Sequence, residues 1–195
     1  MTNSNQLAVD KKNIDTILVL DFGSQYTQLI ARRIRELDVF SIILPWDISK
    51  ERITALNPTG IILSGGPESV TKNNTPRIPK IIFDLDVPIL GICYGMQTLA
   101  EQYGGQVTAS KTKEFGHASI TLEKASTLFH DFDAGSIIDV WMSHGDHVST
   151  LPDQFNLIAS TPSAPIAAMA HSEKPIYALQ FHPEVTHTKE GNVVL

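Results

Sequence analysis

Cysteine is nearly absent from this chain: its 195 residues include one, Cys93. A single thiol excludes an internal disulfide framework and fits a reducing, cytoplasmic compartment. Long apolar runs are absent too. No segment reaches the roughly 18 unbroken apolar residues a membrane span needs, and no signal-peptide pattern opens the sequence. Positive charge is sparse, with 15 Lys and Arg against 21 Asp and Glu, a net charge of −6. Basic residues gather only in short runs such as Arg32-Arg33 and Lys111–Lys113, so nucleic acid is not expected as a direct partner. Metal-ligand spacing is also lacking. His144 and His147 lie three apart and His182 and His187 five apart, neither pair in a helical H-E-x-x-H context, so no metal site is expected. Nor does a linker or an internal repeat divide the chain. Residues 1–13 are polar and aperiodic and read as a disordered lead-in. Residues 14–195 then form one domain, long enough to bury about 70% of its unfolded surface.

What is present is an alternation of strand-like and helix-like patterns. Thr16–Leu20 reads as a strand ending in Asp21-Phe22-Gly23, and Ser24 as the cap of a helix running to about Leu37. Phe40–Leu44 and Gly60–Leu63 read as strands on either side of a short helix, Ile48–Leu56. Pro88–Ile92 reads as a buried strand, followed from Tyr94 by a helix that Gly104-Gly105 closes. Beyond Gly105 the pattern turns to β, over 106–109, 117–123, 136–142, 156–159, 165–170 and 176–181. The expected fold is α/β: a mostly parallel central sheet with helices on both faces, plus a β-rich C-terminal half.

Cys93 falls at the junction of that buried strand and its helix, between Gly91 and Gly95. A thiol at a helix N-terminus feels the positive end of the macrodipole, which favours its thiolate. Flanking glycines tolerate the strained dihedrals of a nucleophile elbow, here spaced G-x-C-x-G. A buried structural cysteine is the competing reading. His182 lies at the C-terminal end of the last expected strand, and Pro183 fixes the backbone between it and Glu184. Residues two apart on extended backbone project to one side, so the Glu184 carboxylate can reach the imidazole. Thiol, imidazole and carboxylate then have the roles of nucleophile, base and orienter.

Gly91-Ile-Cys-Tyr-Gly-Met-Gln97 together with Gln180-Phe-His-Pro-Glu184 resembles the triad motifs of class I glutamine amidotransferases, flavodoxin-like α/β proteins. More narrowly, Asp21–Arg33, Ser64–Ser69, Val140–Asp146 and Pro183–Thr188 resemble the branch of that family that feeds conversion of XMP to GMP. The likeness covers about residues 15–190. It implies Cys93 as nucleophile, His182 as general base and Glu184 as the third triad member. It also implies an oxyanion hole from the backbone amides of Gly66 and Tyr94, where a bare glycine N–H can aim at developing charge. Gln97 and the backbone of Ser143, His144 and Gly145 would hold the α-amino and carboxylate ends of L-glutamine. The residues themselves also allow Gln97 to be a helix-surface side chain and Ser143 a turn cap.

The implied reaction is hydrolysis of glutamine through a cysteine thioester, releasing ammonia for an ATP-dependent synthetase part. In that branch an ATP-pyrophosphatase part adenylates XMP, using ATP and magnesium; no cofactor is expected in residues 1–195. Ser64-Gly-Gly-Pro-Glu-Ser69 resembles the S-G-G-x-D-S phosphate loop of that part. Yet Pro67 removes a backbone donor that a phosphate cradle would use, and Glu68 stands where the loop has Asp. No Walker A pattern appears elsewhere. The chain reads as a separate glutaminase subunit or as an N-terminal domain of a longer synthetase, its stop after Lys189–Gly191 favouring the latter. Glu114–Gly116 and a turn at His144–Asp146 are candidates for docking that partner, or ordinary loops. Two other readings remain: the glutaminase of another amidotransferase, and a non-catalytic regulatory module of the same fold.

Overall fold

The computed structural model describes residues 15–195, with 111–113 as backbone only; the expected lead-in, 1–13, lies outside the described residues. Nine strands, β1 (Thr16–Asp21), β2 (Phe40–Pro45), β3 (Gly60–Leu63), β4 (Ile89–Ile92), β5 (Gln106–Leu122), β6 (Ile137–Thr150), β7 (Phe155–Ser160), β8 (Ala168–His171) and β9 (Ile176–Leu179), make one sheet. Their order is β2-β1-β3-β4-β9-β8-β7-β5-β6. The helices are α1 (Thr27–Glu36), α2 (Lys50–Leu56), α3 (Tyr94–Gln102) and a final turn, α4 (Gly191–Val194).

The sheet is mixed rather than mostly parallel. From β2 to β9 each neighbour is parallel. From β9 to β6 each is antiparallel, and this half holds the two longest strands. The reason lies in the connections. Parallel neighbours need a crossover, normally a helix, whereas antiparallel ones need only a turn. After α3 no α-helix intervenes before β9, only a 3-10 turn at Thr127–Phe129, so the chain folds back on itself strand by strand.

Side-chain alternation along the parallel strands divides the core between two faces. Leu18, Leu20, Ile61 and Leu63 pack with Ile53 of α2 and with Tyr94, Met96 and Leu99 of α3. Val19, Ile62 and Ile92 pack with Ile30, Ala31 and Ile34 of α1. Helices therefore cover both faces. A third cluster, including Ile120, Val140, Met142, Phe181 and Val194, fills the antiparallel half.

Three local expectations are corrected. Helix α1 starts at Thr27 instead of next to Ser24: Gly23 adopts φ +95°, and the Ser24 hydroxyl accepts from the Tyr26 N–H at 3.0 Å in a tight turn. Segments 106–109 and 117–123 are one strand, with a register irregularity between Ala109 and Glu114. Strand β6 runs on to Thr150, so His144–Asp146 is extended strand and no turn; Glu114–Gly116 is strand too, paired with Met142–His144. The C-terminal ends of β1, β3, β4 and β9 deliver Phe22, Ser64–Gly66, Cys93 and Gln180–Glu184 to one edge of the sheet, where α/β folds collect their ligand-binding groups.

Candidate active site

Cys93 sits at φ +52°, ψ −105° between β4 and α3. A positive φ on a residue with a Cβ costs of order 1–3 kcal/mol and persists only where the surroundings enforce it. Here the Cys93 N–H donates to the Leu179 carbonyl at 2.7 Å, the Gly95 N–H to Ser64 O at 3.0 Å and the Gln97 N–H to Cys93 O at 3.0 Å. The flanking glycines are a steric necessity. A Cβ on Gly91 would lie 2.9 Å from the Gly95 backbone, and one on Gly95 would lie 2.3 Å from the Leu63 carbonyl oxygen.

His182 is held from both sides of its backbone. Its N–H donates to Trp141 O at 3.0 Å, and its carbonyl accepts from the Thr188 hydroxyl at 2.7 Å. Thr188 Oγ1 also accepts from the Trp141 N–H at 3.1 Å, tying the loop after β9 to β6. Strand β9 ends at Leu179, short of the expected 181, and Glu184 lies in a turn instead of on extended backbone. The two side chains still meet: His182 Nδ1 is 2.7 Å from Glu184 Oε1. A carboxylate can only accept, so Nδ1 carries a proton and Nε2 is the nitrogen left for the sulfur of Cys93. His182 is 3% exposed and Glu184 fully buried. Burial by itself would pull the imidazole pKa down; hydrogen bonding with Cys93 and Glu184, and the negative charge of both, outweigh it and lift the group to about 10. The ring of Tyr26 meets that imidazole edge-on, centroids 5.1 Å apart.

The sulfur has two further neighbours. It lies 3.5 Å from the Ser143 carbonyl oxygen and 3.7 Å from Gln180 Nε2. Gly66 lies directly beside the first residue of α3: a Cβ on it would fall 2.7 Å from Phe22 O and 3.3 Å from the Tyr94 ring. The Tyr94 N–H, in the first turn of α3, has no acceptor within the helix.

Gln97 is 3% exposed, which overturns a helix-surface role. Its Nε2 donates to Asp146 O at 2.7 Å and to Gln180 Oε1 at 3.3 Å. Ser143 is a strand residue, not a turn cap, and presents its carbonyl to the sulfur. His144 is buried, with Nε2 3.1 Å from Glu114 Oε2. Desolvation holds its pKa below the ordinary histidine value, against the pull of the Glu114 carboxylate. Gly145 follows it in β6. Cys93, His182, Glu184, Gly66, Tyr94, Gln97 and Ser143 thus converge, with His144 and Gly145 adjoining on β6. Sequence reasoning had no role for Gln180, Tyr26 or Thr188. Gln180 stood inside a motif already singled out, and a polar residue in an otherwise apolar strand end was its one available signal. Among the described residues no group of three or more His, Cys, Asp or Glu is arranged to hold a metal ion.

An elbow thiol near a buried imidazole that is paired with a buried carboxylate is the set of groups that cysteine-dependent acyl transfer employs. The model of the family "Glutamine amidotransferase class-I" matches residues 18–195, and the chain belongs to this family. Among curated relatives, "GMP synthase [glutamine-hydrolyzing]" of Teredinibacter turnerae is 59% identical over 181 residues, covering 90% of this chain and 34% of that protein. The protein of the same name from Ectopseudomonas mendocina is 57% identical over 185 residues, covering 92% and 35%. The chain thus spans about a third of the length of these relatives. The crystal structure of a Thermoplasma acidophilum protein, described as one subunit of a GMP synthase, superposes with a TM-score of 0.83 at 37% identity, covering 93% of this chain and 90% of that one.

Proposed function

We propose that this chain is a glutaminase module that supplies ammonia for conversion of XMP to GMP on an ATP-dependent synthetase part. The observation that carries the reading is the buried 2.7 Å His182–Glu184 pair set against an elbow cysteine. Cys93 sulfur attacks the side-chain carboxamide carbon of glutamine, and the Gly66 and Tyr94 amides receive the developing oxyanion. An imidazole with a pKa near 10 is protonated at neutral pH, so the proton that departing ammonia needs is already in place. The C–N bond breaks, leaving a glutamyl thioester. His182, now neutral, takes a proton from water, and the resulting hydroxide releases glutamate and restores the sulfur. Both N–H bonds of Gln97 are committed, so its Oε1 is the atom it offers, which suits the α-ammonium of glutamine better than the carboxylate. The backbone of Ser143, His144 and Gly145 lines the same side.

ATP and magnesium belong to the synthetase part, and this module needs no cofactor of its own. Phe115, 66% exposed on β5 and paired with Ser143, marks the face we assign to docking that part. A lone reduced cysteine accords with a cytoplasmic setting, and no helix among the described residues is long and apolar enough to cross a membrane.

The test is intact mass after incubation with a glutamine-mimicking diazo-ketone, beside Cys93→Ala. One stoichiometric adduct, lost in the variant, is the expected result. No adduct, with or without the synthetase part, XMP, ATP and magnesium, would sink the reading and favour a non-catalytic module.

A further inference from the structure

Gln180 is fully buried, and the reaction as described does not use it. Its orientation can be deduced. The Asp146 backbone carbonyl can only accept, so the atom of Gln97 facing it at 2.7 Å is nitrogen. The second proton of that nitrogen points at Gln180, 3.3 Å away, which must present its oxygen there. Gln180 therefore turns its own nitrogen to Cys93 Sγ at 3.7 Å. The chain Asp146 O, Gln97, Gln180, Cys93 has one polarity throughout and ends on the sulfur with an N–H. No other placement of the two amides satisfies both the backbone carbonyl and the contact between the two glutamines.

The opposite neighbour of the sulfur is the Ser143 carbonyl, an acceptor. An acceptor favours the protonated thiol, whereas a donor favours the thiolate and also the sulfur that carries negative charge as the thioester is hydrolysed. We propose that Gln180 is a catalytic residue that donates to the reacting sulfur in its anionic form, with Gln97 as the positioning residue that fixes its amide. This rests on the glutaminase reading, in which Cys93 is the nucleophile. It places a second donor on the sulfur besides the His182 imidazole, from the side of β9.

Because Cys93 is the only cysteine, iodoacetamide alkylation of the whole chain followed by mass reads this one sulfur. Gln180→Met removes the donor at similar volume; Gln180→Glu replaces it with a carboxylate. The alkylation rate at neutral pH is expected to fall about tenfold in Gln180→Met, its pH profile moving up by about one unit, the scale of a hydrogen bond to a charged group. Gln180→Glu is expected to fall further, because its charge opposes the thiolate. In glutamine turnover, kcat falls with KM little changed. A packing role alone would not order the two variants this way or move the pH profile. Circular dichroism certifies each variant as folded, and the near-isosteric Gln180→Glu decides the matter if Gln180→Met does not fold. Parent-like alkylation and kcat in either folded variant overturn the proposal. Failure of the parent to react with the diazo-ketone would instead count against the glutaminase reading, while the alkylation comparison would still decide what Gln180 does to the sulfur.

Discussion

Glu184 is fully buried with one carboxylate oxygen on His182 and the other, Oε2, without a hydrogen-bond partner among the described residues. Burying a carboxylate is unfavourable unless it is paired, so its presence here implies a gain elsewhere, namely a fixed and charged imidazole. Glu184→Gln keeps the shape and removes the charge. We expect kcat to drop by roughly 10²–10⁴-fold with the fold retained, measured as glutamate release beside a thermal melt. Cys93→Ala should retain the fold and show no measurable glutaminase activity in the same assay. The raised pKa of His182 also has a stability consequence. A group raised from its ordinary 6.5 to about 10 contributes stability that is complete below 6.5 and lost as pH rises through about 10. Melting temperatures from pH 6 to 10.5 should therefore fall more steeply for the parent than for His182→Gln. Parallel curves would show that the imidazole is not held protonated.

At the scale of elements, the site depends on how closely β3, β4 and α3 approach. Gly95 packs against the Leu63 carbonyl so tightly that a methyl group would sit 2.3 Å from its oxygen. Backbone cannot yield as a flexible side chain can, so Gly95→Ala must separate α3 from β3 or reshape the elbow. Overpacking of this kind costs typically 1–3 kcal/mol, and urea unfolding should place Gly95→Ala at or above that range. The same displacement would move the Tyr94 amide away from Gly66, so turnover should fall by more than the loss of folded protein explains. Wild-type stability in Gly95→Ala would show that the approach of α3 to β3 is slack.

For the whole molecule, the candidate site is the seam where the ends of the parallel strands meet strand β6 of the antiparallel half. Strands β4 and β9 set Cys93 and His182, while β6, at the far edge of the sheet, returns Ser143 and Trp141 to the same point. The Ser64–Ser69 loop at this edge is built inward: the Ser64 hydroxyl accepts from the Phe22 N–H at 3.0 Å and donates to Gly65 O at 2.8 Å. With that hydroxyl committed and Pro67 lacking an N–H, the loop has little to offer a phosphate. Calorimetric titration of the chain with ATP and magnesium should give no micromolar binding; a micromolar affinity would put nucleotide chemistry in this part.

The amino-acid sequence alone determined what depends on local pattern. Strand β3 falls where a run of apolar residues bounded by breakers places it, and α3 where helical spacing and Gly104-Gly105 place it. The grouping of Cys93, His182 and Glu184 was legible for the same reason: Cys93 between two glycines and His182 beside Pro183 and Glu184 are short-range arrangements that show in order and spacing. Tertiary structure decided the rest. The direction of the later strands depends on connections that no period of hydrophobicity records. The start of α1 depends on a turn that Gly23 and Ser24 make, which competes with a helix cap using the same residues. The neighbours of the sulfur come from 50 and 87 residues away, at Ser143 and Gln180. A carbonyl and a glutamine amide carry no local mark of where they will point. Only the packing of β6 and β9 against α3 makes one an acceptor and the other a donor for Cys93, because a buried hydrogen bond is fixed by the pairing of whole elements.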